Sequence, residues 1–413
     1  MKLGVFFIGN PRSGGLYQYS LNLLDSLKSR RDDVIIFNMS GEAFPYEKYQ
    51  GIYKISNTLR LLGFVRRLTE RAISRSNSTT GTGTVENGKA GNQTVIRSLS
   101  PGDRVLRCLV RLNRVKLNLF TAPTHLSYAL DTPFIMPVHD LQHRLNPQFP
   151  EVSSGGVGEA REYLYSNAVA RAAAILVDSE TGRDDVLSLY PADESKVKVL
   201  PFTPPNYLNI EYTQEELQKI RKKYNLPPRF LFYPANFWAH KNHKLVIEAL
   251  KHIKEKYRLE IPVVFIGSRE VTHSVFSNIQ EMVDRYGLTG QVYYPGYVSG
   301  EDVTGLYILA DALVMPTFFG PTNIPYLEAF MLGCPVIGSD IRGIREQIGD
   351  AGLLVDTDSP PNLAEAIMKM WNDEKLRYEL REKGYARIKQ WDFQMFSEKI
   401  NRIIDEIIAV KNL

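Results

Sequence analysis

Short apolar runs alternate along this chain with stretches whose apolar positions recur every three or four residues, a pattern that predicts parallel strands flanked by helices. The opening run "KLGVFFIG" reads as a strand, Gly9 to Gly15 as a loop, and "LYQYSLNLLDSL" as a helix with Leu16, Tyr19, Leu23 and Leu27 on one face. "DDVIIFNM", "PFIMPVHD", "AAILVDS" and "KVKVLP" continue the same sheet. A second series begins with "RFLFYPA" and runs through "PVVFIGS", "QVYYPGY", "DALVMPT", "CPVIGSD" and "GLLVD". The expected fold class is α/β, with two Rossmann-like doubly wound halves. Residues 1–205 form the first domain, with an insert at about 76–95 rich in Ser, Thr, Gly and Asn that has little to bury, and residues 206–390 form the second. Helical residues 391–413 close the chain and are placed to cross back to the first domain.

Composition narrows the class. The 413 residues hold two cysteines, Cys108 and Cys334, too few for a disulfide framework. No run approaches the ~18 apolar residues of a membrane span, and the apolar start Leu3–Ile8 is shorter than the ~7–15 residues of a signal-peptide core. The expectation is a cytoplasmic protein. Net charge is +4, yet residues 55–120 hold twelve Lys or Arg against three Asp or Glu, which leaves the remainder at 4 − 9 = −5. That region is suited to anions. In "RVLRCLVRLNRVKLNLF", Arg104, Arg107, Arg111 and Arg114 share an arc of roughly 80° if the stretch is helical. Such a helix suits an anionic membrane surface, or is a solvated face of the domain. "LRLLGFVRRLTERAISR" is a second candidate, and no recognition motif points to nucleic acid.

Candidate chemistry collects at strand ends. "GNPRSGG" fits neither the dinucleotide fingerprint nor the P-loop, but a glycine turn entering a helix offers backbone amides to phosphate, or serves only as a tight turn. "HDLQH" has metal-ligand spacing without a third ligand nearby, so no metal is expected. His139 directly follows a strand, where ligands of open α/β sheets bind, and is either a general acid/base or sugar-contacting group or a structural histidine. "DTD" at 356–358 reads as a strand-end turn rather than a metal site. Lys241 arrives just before a helix, where it neutralises a diphosphate or is a solvated loop charge.

A lysine-asparagine helix start at Lys241, "GY-S" after a strand, "P-(8 residues)-P-x-LEA-x-x-GCPVI-SD" and "DAGLLVD" occur in that order. Together they resemble a retaining GT-B glycosyltransferase of family 4 (glycosyl transferases group 1), over nearly the whole chain and most strongly from Phe230 to Asp356. The resemblance implies a hexosyl-type transfer with retention of anomeric configuration. The donor would be a UDP-, GDP- or dTDP-linked sugar held by the second domain; the acceptor would be a glycan or lipid-linked molecule, in cell-surface polysaccharide or glycolipid biosynthesis. It implies no metal or other cofactor, and a location in the cytoplasm or peripheral on the cytoplasmic membrane face. Catalytic roles fall on His139, Lys241 and Glu328. Gly14 and Gly15 match the glycine turn facing the donor. Lys241 matches the lysine on the diphosphate and Glu328 the second glutamate of E-x7-E, on the ribose. Thr322, Asn323 and Ile324 belong to the loop whose backbone amides approach the diphosphate, and Gly296 and Tyr297 lie near the base. Two positions depart from the pattern: Gly320 stands where the first glutamate would be, and Asn236 where an arginine is usual. Arg12, His240 and Arg342 are the candidates to compensate. The other reading is a weak or inactive GT-B subunit that binds or scaffolds a partner.

Overall fold

A computed structural model of the chain describes residues 1–9, 15–30, 32–39, 52–54, 101–205, 208, 210–267, 273–296 and 298–413. Two parallel sheets organise them. The first has the order β3-β2-β1-β4-β5-β6-β7, with β1 Lys2–Phe7, β2 Asp33–Asn38, β3 Ile52–Lys54, β4 Leu117–Phe120, β5 Phe134–Pro137, β6 Ala174–Val177 and β7 Val197–Val199. The second runs β10-β9-β8-β11-β12-β13, with β8 Leu231–Pro234, β9 Val263–Ile266, β10 Val292–Tyr293, β11 Ala312–Met315, β12 Val336–Ser339 and β13 Gly352–Val355. Helices cover both faces, so β4, β5, β6, β9, β11 and β12 are buried throughout. Burial on both faces is why these strands read as continuous apolar runs rather than as alternation. The two doubly wound parallel sheets expected from the sequence are the ones observed.

Strand order reverses direction between β1 and β4 in the first sheet and between β8 and β11 in the second. Ligands of doubly wound sheets bind outside the carboxyl ends of strands at such switch points. The loops that leave β1, β8 and β11 therefore mark the site, and they carry Gly15, Asn236 to Lys241, and Thr317 to Asn323.

The basic stretch is not one helix: Pro101–Leu112 is helical, Arg114 adopts φ 55°, and the chain then enters β4, a central strand. Arg114 is thus off the helix. Arg107 donates to the Ala129 carbonyl and pairs with Asp131 at 3.1 Å, and Arg111 also pairs with Asp131. Arg104 stays exposed, beside Val105 and Leu112, which is 78% exposed. The exposed face is therefore mixed basic and apolar. The insert at 76–95 and the second basic candidate lie outside the described residues.

The final helix, Phe393–Lys411, packs on the first half of the chain. Phe396, Ile400, Ile403, Ile404 and Ile407 are buried with Leu23 and Leu24 of the Gly15–Ser26 helix and with Leu27 in the turn that follows it. Each such side chain contributes about 1.5–3 kcal/mol when fully buried. Arg30 to Asp405 (2.6 Å), and the Trp391 indole just before the helix to the Pro201 carbonyl (3.0 Å), add polar contacts to that packing. No helix among the described residues is long and apolar enough to cross a membrane.

Candidate active site

His139 leaves β5 at its carboxyl end, and its ring is held on three sides. Asp178, at the end of β6, lies 3.2 Å from His139 Nδ1. Phe202 stacks on the ring at 5.5 Å and Tyr19 meets it edge-on at 4.9 Å. The buried carboxylate selects the tautomer with the proton on Nδ1, so Nε2 presents its lone pair. Burial pushes the Asp178 carboxyl above the ordinary aspartate range, an effect that His139 and the Thr322 hydroxyl oppose. Thr322 comes from the other domain, with its Oγ1 3.5 Å from Asp178 Oδ2.

Lys241 closes the loop that follows β8. Its ammonium donates to Asn323 Oδ1 at 3.0 Å, and burial pushes its pKa down to about 8, against the pull of Asp140 and Glu151. The preceding residue locks the domains together. His240 donates its amide to Glu151 Oε1 at 2.8 Å, and the same oxygen meets His240 Nδ1. The His240 ring stacks on Phe319 at 4.1 Å. Burial holds His240 below the usual histidine range, so it is not a second cation for a diphosphate. Arg342 is no substitute either, because it spans the cleft to Asp184 (3.1 Å) and Asp185 (3.7 Å). Arg12 lies outside the described residues.

Gly15, the first residue of its helix, has Ile324 against it: a Cβ on Gly15 would fall 2.2 Å from Ile324 Cδ1. Only glycine lets these two helix starts approach so closely. Gly14 and Tyr297 lie outside the described residues. Gly296 turns the chain after β10 with φ 84°. Asn236 sits in the loop after β8, its carbonyl accepting from the Trp238 amide at 2.8 Å. Expected free for phosphate, the Asn323 amide is instead committed: it donates to Gln347 Oε1 at 2.8 Å, and Gln347 Nε2 returns a bond to the Asn323 carbonyl. That reciprocal pair pins the loop to the Arg342–Ile348 helix. Glu328 is buried in the Ile324–Met331 helix and accepts from the Tyr307 hydroxyl at 2.7 Å. Gly320 has φ 132°, and a Cβ there would sit 2.8 Å from Asn323 Nδ2. The missing glutamate thus reflects a backbone conformation that L side chains rarely adopt.

Residues 214–387, the span that contains Lys241, Gly296, Asn323 and Glu328, match the family described as glycosyl transferases group 1. The match covers 174 of the 413 residues, all in the second half of the chain. Among curated relatives, the O-antigen chain mannosyltransferase B of Escherichia coli is 28% identical over 223 residues, 53% of this chain and 57% of that protein. The serotype-specific mannosyltransferase WbdA of Escherichia coli is 25% identical over 250 residues, 59% of this chain and 30% of that one. The chain spans little more than half of the first relative's length and under a third of the second's. Among solved structures, Anabaena HepE in complex with UDP and glucose superposes with a TM-score of 0.71 at 15% identity, covering 98% of this chain and 100% of that one. That likeness establishes the shared GT-B fold.

Within this glycosyltransferase fold, His139, Lys241, Asn323 and Gly15 converge at the cleft. Asp178, Glu151 and Gln347, which hold them, carried no sequence motif, although Asp178 ends the strand "AAILVDS" and strand ends are where such groups collect. His143 departs from His139: the helix Gln142–Leu145 begins after Asp140, and His143 turns inward to Glu162 and the Tyr190 hydroxyl, each at 3.3 Å. Asp356 serves its own turn, with Oδ1 accepting from the Asp358 amide at 2.9 Å.

Proposed function

We propose that the chain transfers a hexosyl-type sugar from a nucleotide-diphosphate donor to a hydroxyl of a glycan or lipid-linked acceptor, with retention and without a metal, in cell-surface polysaccharide or glycolipid biosynthesis. The observation that carries this reading is the desolvated Lys241 ammonium, held at Asn323 between the two switch points. A cation in that position offsets charge on a departing diphosphate at low solvation cost. Glu328 would take the ribose hydroxyls, Gly15 and the start of the Ile324–Met331 helix would flank the phosphates, and His139 would face the sugar. The sugar C1–O bond to the diphosphate breaks, a C1–O bond to the acceptor forms, and the acceptor proton leaves with the nucleotide. Supporting the donor class are the family match and the UDP and glucose bound by HepE; supporting the pathway class are the O-antigen and serotype-specific relatives.

Release of nucleotide diphosphate from a panel of UDP-, GDP- and dTDP-sugars by the purified full chain tests this. Steady release supports the enzyme. Donor binding with no release, alone or with acceptor extracts, would favour the inactive-subunit reading that the uncharged Asn236 and Gly320 leave open.

The acceptor side is proposed to lie against an anionic membrane, from a cytoplasmic and peripheral location. The exposed face of the Pro101–Leu112 helix joins Arg104 and Arg111 to Val105 and Leu112, the mixture an interfacial helix uses. Changing Arg104 and Arg111 to Gln is expected to weaken sedimentation with phosphatidylglycerol vesicles at low salt, about 1 kcal/mol per arginine. Unchanged sedimentation would contradict it. Arg107 is left in place because it anchors the helix to Ala129.

A further inference from the structure

Four buried polar atoms along the cleft have no hydrogen-bond partner among the described residues: the Tyr19 hydroxyl, His139 Nε2, Glu151 Oε2 and Asn323 Nδ2. Native proteins leave few such groups, and each calls for an explanation. These four are linked by contact. Tyr19 packs on His139, His139 pairs with Asp178, Asp178 meets Thr322 beside Asn323, Asn323 accepts from Lys241, and Lys241 follows His240, which Glu151 holds. Their chemistry is mixed: a ring nitrogen and a carboxylate oxygen that accept, an amide that donates, and a hydroxyl that does either. Such a set suits a ligand dense in hydroxyls.

Glu151 stands out among them. It belongs to the N-terminal domain, yet its side chain is only 9% exposed because the C-terminal domain covers it. Oε1 is taken by the His240 amide and ring, and that ring stacks on Phe319, the neighbour of Gly320. The carboxylate thus reaches the cleft beside Gly320, where the backbone disfavours a side chain.

We propose that Glu151 determines donor-sugar specificity: its Oε2 accepts a hydrogen bond from a sugar hydroxyl, and Asn323 Nδ2 donates to a neighbouring sugar oxygen. The opposite domain thereby supplies a carboxylate that position 320 does not carry. The proposal rests on the nucleotide-sugar reading above. It assigns the sugar class as a neutral hexopyranose with that hydroxyl unsubstituted, since a hexuronate would set a second carboxylate against Glu151. Because Glu151 and His240 come from different domains, the sugar is read only when the cleft is closed.

The test is calorimetry of the full chain and of Glu151→Gln with UDP, GDP, dTDP and the corresponding nucleotide hexoses. The variant should bind nucleoside diphosphate within about twofold of wild type and lose about tenfold or more for the nucleotide hexose, the cost of replacing a charged acceptor. A monodeoxy donor that weakens wild type should weaken the variant no further, because the partner of that hydroxyl is already gone. Equal loss for diphosphate and nucleotide hexose would reduce Glu151 to a support for His240 and overturn the proposal, as would no loss at all. Wild type alone provides a check that does not depend on the variant's folding: nucleotide hexuronates should bind more weakly than hexoses, and equal affinity would overturn the assignment. Should wild type bind none of the diphosphates, the donor reading fails and this proposal with it. Diphosphate binding with an unaffected variant instead sinks this proposal alone.

Discussion

Replacing Lys241 by alanine is expected to lower donor turnover by about 10²–10³-fold, the usual cost of removing one preorganised group that faces developing charge. The size follows from what surrounds it. His240 is held neutral-leaning by burial, Arg342 is paired across the cleft, and position 236 is an uncharged asparagine. The pH dependence has a definite sign. Lys241 has a folded pKa of about 8, below its ordinary value of 10.5. Between those values the unfolded chain binds more protons than the fold, so this group makes the free protein gain stability as pH rises through the window. Diphosphate binding favours the ammonium and acts oppositely: affinity should fall above about pH 8, with proton uptake on binding. Calorimetry at pH 8.5 in buffers of different ionisation enthalpy reads that uptake. Uptake that persists in Lys241→Ala would assign the proton elsewhere, and near wild-type turnover would remove Lys241 from the chemistry.

Glu328→Gln is expected to weaken nucleoside diphosphate binding at least about tenfold, since a charged hydrogen bond to a ribose hydroxyl contributes about 1.5–3 kcal/mol. The fold should tolerate the change. Glutamine still offers an oxygen to the Tyr307 hydroxyl, so the melting temperature of the free protein should stay near wild type. A variant that binds as tightly as wild type would leave Glu328 as a buried partner of Tyr307 and nothing more. One that melts early would show that the charge, rather than its shape, holds Tyr307.

Most of the architecture was legible because interior parallel strands advertise themselves. "AILV", "VVFI" and "ALVM" are apolar throughout, and each proves to be fully buried. β4 escaped notice for a local reason. "LNLF" is short, contains a polar residue and follows the basic helix with only a few residues between, so the helical periodicity of the basic stretch masks it. The left-handed turn at Arg114 that separates them has no glycine to announce it. Candidate residues at strand ends are readable by the same topological rule that locates switch points, and that rule singles out His139 and Lys241. The groups that hold them were not. Glu151 and His240 are 89 residues apart in sequence, and Asp178 and Thr322 are 144 apart. Each pair exists only because the two sheets face each other, which no local pattern encodes. The Gly320 backbone is similar: the sequence showed an absent carboxylate, whereas φ 132° gives the conformational reason.

The central claim is that the cleft between the two sheets holds a nucleoside diphosphate beside Lys241. Thermal unfolding of the full chain at saturating UDP, GDP and dTDP, at pH 7, tests it most directly, because a ligand at about 100 times its Kd stabilises the fold by about 2.7 kcal/mol. At least one of the three should raise the melting temperature by several degrees, and Lys241→Ala should abolish most of that rise. Identical melting curves with and without all three diphosphates would contradict the account.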